Sequence, residues 1–389
     1  MAKPPHVALL IETSWAYGRG LLRGVARYMH ERGPWSVYLR PQGLGDAVPP
    51  WLERWRGDGI LARIDNRRMA RAVLRTRLPV VDVRNALTDL RLPGIGPDNR
   101  MVAELACRHF LDSGLRNFGF GTARRGQNRF LDARCDCFRA MVETAGHRCH
   151  VYRPYPIGRR PTWEQEQSRL AQWLQSLPKP IGIMTGDDDQ GLQLLDACLR
   201  AALRVPDQVA VVSVNNDEHL CGLSNPPLSS IDVNPERIGY EAAAMLDRLM
   251  SGRKAPKAIV ELPPRGLVVR PSSDVVGVEE PLVADAVRMI RRRAVEPLSV
   301  AQLAAALDVS RSTLERRFAA MLGRTPKQEI LRVRLSHAQE LLVSTDLPLA
   351  TVAERTGFRS AAHFCEVFHD RMECTPGDYR RRHGPGRFS

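Results

Sequence analysis

Short apolar runs alternate with amphipathic stretches along residues 6–275, and this alternation predicts strands followed by helices. The apolar runs suit buried strands, whereas the amphipathic stretches repeat their apolar positions at helical spacing. The predicted strands are residues 7–11, 36–39, 59–62, 79–83, 117–121, 181–185 and 209–214. The predicted helices are residues 20–32, 101–113, 129–145, 163–176, 190–202 and 235–251.

Alternating strands and helices are typical of doubly wound parallel sheets. Residues 1–275 exceed what one such sheet usually holds, so the sequence predicts two α/β lobes with a cleft between them. Ligands of open α/β sheets bind beyond the carboxyl ends of the strands. Side chains that follow the predicted strands are therefore the candidates for binding.

The last hundred residues follow a helical pattern instead, and the same pattern occurs twice. Each copy predicts a helix, a tight turn and a second helix, which is the unit that places a helix in a DNA major groove. We predict the two units at residues 298–322 and 347–372, within an all-α domain of residues 282–389 that a linker at residues 276–281 joins to the first domain. The matched pairs, at offsets of 49 or 50 residues, are Leu303 with Val352, Ala304 with Ala353, Leu314 with Phe364, Phe318 with Phe368, Thr325 with Thr375, and Pro326 with Pro376.

The polar faces of the second helices are the candidate DNA-binding surface. Ser310 is placed to cap the first of them, and Leu314, Phe318 and Met321 are predicted to face the core at helical spacing. A plain helical bundle with solvated polar faces is the alternative, which the matched repeat disfavours. The candidate DNA-binding residues are Arg311, Ser312, Glu315 and Arg316 in copy one, and Arg359, Ala361, Ala362, His363 and Glu366 in copy two.

Residues 282–384 resemble the DNA-binding domain of AraC-type transcription regulators. The resemblance rests on Ala353, Gly357-Phe358, Ser360, Phe364, Phe368, Thr375-Pro376 and Tyr379-Arg380. It implies that the two second helices enter successive major-groove segments of operator DNA. The chain departs from the family at Glu373-Cys374, where a glycine usually precedes Thr-Pro, and at Ala361 and Ala362. Such small side chains predict that the second copy reads thymine methyl groups or DNA shape.

Charge and cysteine content add limits to this picture. The net charge is +14, but residues 278–389 hold 18 Lys and Arg against 14 Asp and Glu, so charge alone is weak support for DNA binding. His and Cys residues crowd residues 135–150 without zinc-ligand spacing, and we expect no metal and no cofactor. No segment reaches transmembrane length, and the run at residues 7–11 is too short for a signal peptide. We therefore expect a cytoplasmic protein without a membrane partner.

The chemistry beyond the predicted strands suits a sugar. Aromatic rings can stack on an apolar sugar face, and charged side chains can form strong hydrogen bonds to hydroxyls. Each residue taken alone could instead be a core aromatic, a helix cap or a surface charge. The candidate ligand-binding residues are Trp15, Tyr17, Asp98, Phe130, Arg134, Asp187 and Asp217.

Residues 6–273 resemble the periplasmic-binding-protein-like sensor of LacI/GalR regulators. Arg134, Asp187-Asp188 and the stretches 212–217 and 268–272 are the residues that resemble the family. In that family, positions like Arg134 and Asp217 hold sugar hydroxyls. The DNA-binding unit follows the sensor here, an order that resembles regulators of pentose catabolism.

Both resemblances imply a sugar-responsive, sequence-specific DNA-binding transcription regulator. We expect it to be a homodimer that activates pentose-catabolism genes and contacts RNA polymerase to do so. Repression of sugar genes is one alternative, and a sugar-binding protein without a regulatory role is another. We expect no enzymatic activity, because no nucleophilic triad and no glycine-rich phosphate loop stands out in the sequence.

Overall fold

The computed structural model describes residues 3–41, 43, 46–87, 89–121, 126, 129–154, 161–254, 256, 258–275, 280–296 and 298–383. The fold class is confirmed: a two-lobed α/β sensor with mainly parallel sheets precedes an all-helical domain. Most of the predicted linker, residues 276–279, lies outside the described residues.

In chain order the described strands are β1 His6–Leu10, β2 Ser36–Leu39, β3 Gly59–Ala62, β4 Val80–Asp82, β5 Ile95–Pro97, β6 Asn117–Gly121, β7 Cys149–Val151, β8 Ile181–Thr185, β9 Val209–Val214, β10 Ser229–Asp232, β11 Val260–Leu262 and β12 Gly266–Val268. The sensor helices are α1 Ala16–Arg32, α2 Arg67–Arg75, α3 Asn99–Asp112, α4 Arg129–Thr144, α5 Trp163–Ser176, α6 Asp188–Arg200, α7 Glu218–Leu223 and α8 Pro235–Met250, with a 3₁₀ helix at Pro50–Arg54. The helices of the last domain are α9 Pro281–Arg293, α10 Val300–Ala306, α11 Arg311–Leu322, α12 Pro326–Ser344, α13 Leu349–Arg355, α14 Ala361–Met372 and α15 Pro376–His383.

The first lobe is built on a four-stranded parallel sheet in the order β2-β1-β3-β4. Its core joins β1, β3 and α1 to α8 and β11, which come much later in the chain. The chain therefore leaves this lobe after β5, returns with α8 and leaves again after β11. Such repeated crossing places the connecting segments beside the cleft.

The second lobe holds a six-stranded sheet in the order β12-β10-β9-β8-β6-β7. Its strands are parallel except for β12, which runs antiparallel to β10. Strands β8 and β9 are buried along their whole length, as expected for central strands covered on both faces. Their carboxyl ends, like those of β3 and β4 in the first lobe, lead into the residues of the cleft.

The helical domain has two cores that share one long helix. Val283, Leu303, Leu314 and Phe318 pack with Ile330 of α12 in the first core. The second core joins Leu335, Ala338 and Leu342 of the same helix to Val352, Phe364 and Phe368. Helix α12 thus fixes the two helix-turn-helix units as one body.

One predicted core residue of this domain is wrong. Met321 keeps 38% of its surface exposed, whereas Leu314 and Phe318 are fully buried. Met321 lies in the last turn of α11, where Leu322 packs against the core instead. In the described residues, no helix combines the length and the apolar character needed to span a membrane.

Candidate ligand pocket and DNA-binding surface

A cavity of about 110 Å³ lies where the carboxyl ends of strands from both lobes meet. Five of the seven predicted ligand residues line it: Trp15, Tyr17, Phe130, Arg134 and Asp187. The structure adds Arg63, Val83, Arg84, Pro97, Leu131 and Asn215 to its wall. The strand-end rule thus selected residues that come from distant parts of the chain and meet at one place.

Arg134 is the most deeply buried cation of this pocket. Its Nε donates a hydrogen bond to Asn99 Oδ1 at 2.8 Å, and its Nη1 donates to the Gly186 carbonyl at 2.5 Å. Burial lowers the pKa of Arg134 to about 10, although Asp187 and Tyr17 act in the opposite direction. The side chain is therefore held in place by neutral acceptors while its charge faces the cavity.

Arg63 joins the pocket through an ion pair with buried Glu12. Its Nη1 donates to Glu12 Oε1, and its guanidinium lies 5.0 Å from the centre of the Tyr17 ring. Burial raises the pKa of Glu12, and Arg63 counteracts this rise. Gly18 is required beside this pair because a Cβ there would come within 2.0 Å of the Glu12 carbonyl oxygen and 2.7 Å of Oε1.

Arg84 is the third cation on the wall, and it forms an ion pair with Asp65. Burial lowers the pKa of Arg84, and the nearby charge of Arg63 lowers it further. Sequence reasoning missed both Arg63 and Arg84. A signal was present, because each directly follows a predicted strand, at residues 59–62 and 79–83.

Asp98 and Asp217 have capping roles in the structure, and neither is among the described residues that line the cavity. Asp98 Oδ1 accepts from the Met101 N–H at 3.0 Å at the start of α3. Asp217 Oδ1 accepts from the N–H groups at the start of α7, that of His219 at 3.2 Å among them. Their assignment to the ligand stays a prediction.

Asp188 lies behind Asp187 and ties the strand ends together. It accepts hydrogen bonds from Ser213 Oγ at 2.7 Å, Ser230 Oγ at 2.6 Å and the Asp217 N–H at 2.7 Å. Burial raises the pKa of Asp188 to about 7, against the opposing effect of these donors. The network fixes the loops that carry Asp187 and Asn215 to the cavity.

The predicted DNA-binding residues occupy the first halves of α11 and α14, except Arg359, which directly precedes the N-cap of α14. Ser310 and Ser360 cap these helices by accepting from the third N–H, and the apolar side of each helix is buried. The predicted residues of both copies are exposed or half-buried, and Arg311 pairs with Glu315 across 2.9 Å. Gly357 in the second turn has a φ of 76°, and a Cβ there would lie 2.8 Å from the Val295 carbonyl oxygen.

Arginines of the helical domain also bind the carboxyl end of sensor helix α3. Arg332 Nη1 donates to Asp112 Oδ2 at 2.9 Å, and Arg324 Nη2 donates to the Asp112 carbonyl at 2.6 Å. Arg291 Nη2 donates to Ser113 Oγ at 2.9 Å. No sequence pattern predicts these contacts, because the paired residues are 178 to 220 positions apart in the chain.

Buried Glu329 organises this boundary. Burial by itself would raise the pKa of Glu329, but the charges and hydrogen bonds of Arg332 and Arg324 bring it below its usual value. Glu329 Oε2 accepts from Arg324 Nε at 2.7 Å, and Oε1 accepts from Arg332 Nη2 at 2.7 Å. The carboxylate thus orients both arginines toward Asp112.

Three family models match successive parts of the chain. A model described as the XylR N-terminal domain matches residues 6–93, a periplasmic binding protein-like domain matches residues 107–273, and a helix-turn-helix domain matches residues 303–382. Together they match most of both lobes and most of both helix-turn-helix copies.

Curated relatives align over nearly the whole chain. The xylose operon regulatory protein of Escherichia coli K12 is 30% identical over 97% of this chain and 97% of its own length. The protein of the same name from Haemophilus influenzae is 29% identical over 96% and 97%.

Solved structures are also similar to this chain. The structure titled xylose-binding transcription activator xylR matches with a TM-score of 0.63 and 29% identity, over 98% of this chain and 99% of that one. The cellobiose complex of the transcriptional regulator CelR matches with a TM-score of 0.55 and 19% identity over 69% of this chain and 84% of that one, and shares the sensor fold.

Proposed function

The chain belongs to the family of xylose operon regulatory proteins, and we propose that a pentose-class sugar bound between its sensor lobes makes it activate pentose-catabolism genes. As a member of this family it is a sugar-responsive, sequence-specific DNA-binding transcription regulator. The names of its relatives refer to a xylose operon, and one solved relative is titled an activator. These names support the pentose class and the direction of regulation.

The ligand would occupy the cavity between the lobes. Trp15, Tyr17 and Phe130 would pack against the apolar face of the sugar ring, and Arg134 would donate to its oxygens while Asp187 accepts. A ligand that contacts both lobes favours the closed arrangement by its differential affinity for it.

The two recognition helices would read successive major-groove segments. Arg316 has the chemistry to hold a guanine edge, and Ala361 and Ala362 have the size to contact thymine methyl groups. We propose that a homodimer presents four such helices to tandem half-sites in the cytoplasm, recruits RNA polymerase, and acts by binding without catalysis.

A single helix supports the coupling of these two events. At the amino end of α3, Asn99 accepts from Arg134 of the pocket, and at its carboxyl end Asp112 accepts from Arg332 of the helical domain. Closure of the lobes around a sugar would therefore act on the position of the recognition helices through this helix.

The proposal is tested with the full-length protein and operator DNA. Fluorescence anisotropy with and without a saturating pentose should show operator affinity rising about 5- to 150-fold, the usual range of such coupling. Arg332→Gln should reduce this factor, because Asp112 loses its ion-pair partner. Arg100→Gln is the control, because it removes an exposed arginine from α3, the helix that carries Asp112. This variant should keep the full effect of the pentose on operator affinity.

In vitro transcription gives the direction of regulation. Transcripts from a promoter that carries the operator should increase when the sugar is added. A decrease would replace activation by repression, and equal operator affinity with and without every pentose would contradict the proposed coupling.

A further inference from the structure

Three guanidinium groups face one small cavity in the sensor. Arg63 and Arg84 follow the adjacent strands β3 and β4, and Arg134 reaches the same space from α4 of the other lobe. Adjacent strands lie about 4.8 Å apart, so the first two arginines start from neighbouring positions. Each of the three is largely buried, with side-chain exposures of 11% for Arg63 and 13% for Arg84 and a residue exposure of 5% for Arg134.

The acidic partners of these arginines do not form the wall. Glu12 pairs with Arg63 but keeps only 2% of its side chain exposed, and Asp65 pairs with Arg84. Neither carboxylate is among the described residues that line the cavity. Arg134 is hydrogen bonded to an amide oxygen and a carbonyl, both neutral. Since a guanidinium has five N–H donors and no acceptor, the wall presents many donors to a ligand.

Acceptors are scarce in the described part of this wall. Asp187 is its one carboxylate, and its oxygens already accept from the Gln190 backbone at 3.0 Å and the Gln190 side chain at 3.4 Å. The Asn215 amide adds a single oxygen, and the Tyr17 hydroxyl can donate or accept. Every hydroxyl of a neutral sugar brings a proton that needs an acceptor once water is excluded. A wall with three guanidiniums and one carboxylate therefore favours a ligand that adds oxygens which only accept, as a carboxylate or phosphate does.

We infer that the effector is an anionic sugar derivative whose carboxylate or phosphate lies between Arg63 and Arg84, with the sugar ring against the aromatic residues. This inference rests on the proposed function and narrows its ligand class. Two guanidiniums that face one space repel each other, and an anion between them removes that cost while forming charge-assisted hydrogen bonds. The lowered pKa values of Arg84 and Arg134 agree with buried cations that lack full compensation.

Calorimetric titration of the full-length protein tests the ligand class directly. The probes are D-xylose, D-xylonate and D-xylose 5-phosphate, each at low and at raised sodium chloride. We expect one anionic probe to bind at least about tenfold tighter than D-xylose, as a charge-assisted hydrogen bond of about 1.4 kcal/mol or more requires. Its affinity should fall as salt rises, since the interaction is electrostatic.

Variants then locate the anion. Arg84→Gln should bring the ratio of anionic to neutral affinity close to one, and Arg84→Lys should retain part of it because the charge remains. Arg68→Gln removes the same charge from an exposed position outside the cavity and should leave the ratio unchanged. Melting temperatures show whether each variant is folded. If no variant folds, the ratio of anionic to neutral ligand affinity in the unaltered protein still tests the inference.

The outcomes separate this inference from the proposed function. Tight binding of xylonate alone identifies a sugar acid, and tight binding of the phosphate alone identifies a sugar phosphate; both support an anionic effector. D-xylose binding as tightly as both anions overturns the anionic effector and leaves the sugar-responsive regulator standing. Failure of all three to bind overturns the proposed pentose class and the inference with it.

Discussion

The two helix-turn-helix copies share a buried frame and differ at nearly every exposed position of their second helices. Leu314 and Phe318 of the first copy and Phe364 and Phe368 of the second are all fully buried at the same spacing. On the outer face, by contrast, Arg316 of the first copy corresponds to Glu366 of the second at the offset of 50 residues. The buried spacing specifies the unit, and the exposed residues are free to specialise.

The same contrast continues at the carboxyl ends of α11 and α14. Gly323 ends the first with a φ of 66°, and Glu373 ends the second with a φ of 54°. The residue after Gly323 is Arg324, which binds the sensor, whereas the residue after Glu373 is Cys374. The first copy has therefore gained a docking role that the repeat pattern does not contain.

Removing one buried aromatic ring from each copy should have the largest effect. Phe318→Ala and Phe368→Ala should each lower the free energy of unfolding of the helical domain by about 3–5 kcal/mol, because each leaves a cavity in its core. Urea denaturation followed by circular dichroism measures both. A loss below about 1 kcal/mol in one copy would break the equivalence of the two frames.

Removing the outer charges should separate the copies. Arg316→Ala should weaken cognate operator binding by about 1–3 kcal/mol if this arginine holds a guanine edge. Glu366→Ala, the matched change, removes a negative charge and should leave affinity equal or higher. Anisotropy titrations against cognate and scrambled duplexes at one salt concentration measure this, and equal losses on both duplexes for Arg316→Ala would assign it to phosphates.

The smallest expected effect concerns Gly323 and Glu373, the two residues that end these helices in a left-handed backbone conformation. Glu373→Gly should raise the free energy of unfolding by about 0.5 kcal/mol, because relief of a strain of about 1–2 kcal/mol is partly offset by the greater freedom of glycine in the unfolded chain, about 0.4–1 kcal/mol. Gly323→Ala should lower it by about 0.5–1 kcal/mol, because the same strain is introduced and is partly offset by the smaller freedom of alanine in the unfolded chain. Thermal denaturation of both variants checks the opposite signs.

Sequence patterns predicted the long buried strands and the repeated helices well, because these have strong periodicity of their own. Five short strands were missed: β5, β7, β10, β11 and β12. Strand β10 reads Ser-Ser-Ile-Asp and gains its burial from neighbours rather than from an apolar run. Helix α2 was not predicted, because its apolar face is short and arginines separate its apolar residues in the sequence.

The residues of the candidate site also divide into those that the sequence could predict and those that it could not. Arg63 and Arg84 were predictable, because each directly follows a predicted strand, at residues 59–62 and 79–83. The contacts of Asp112 with Arg324 and Arg332 were not predictable, since they depend on how two domains pack. Local patterns identify elements, whereas contacts between distant segments depend on the completed fold.

Helix α3 also has a consequence for timing. It spans about 21 Å at 1.5 Å per residue, and it contacts the pocket at one end and the helical domain at the other. If it transmits closure, then by reciprocity a molecule seated on its operator holds the effector more tightly than a free molecule does. If the tighter binding comes from slower dissociation of the effector, the regulator would stay on its operator for some time after the effector concentration falls. The regulated genes would then be switched off with a delay.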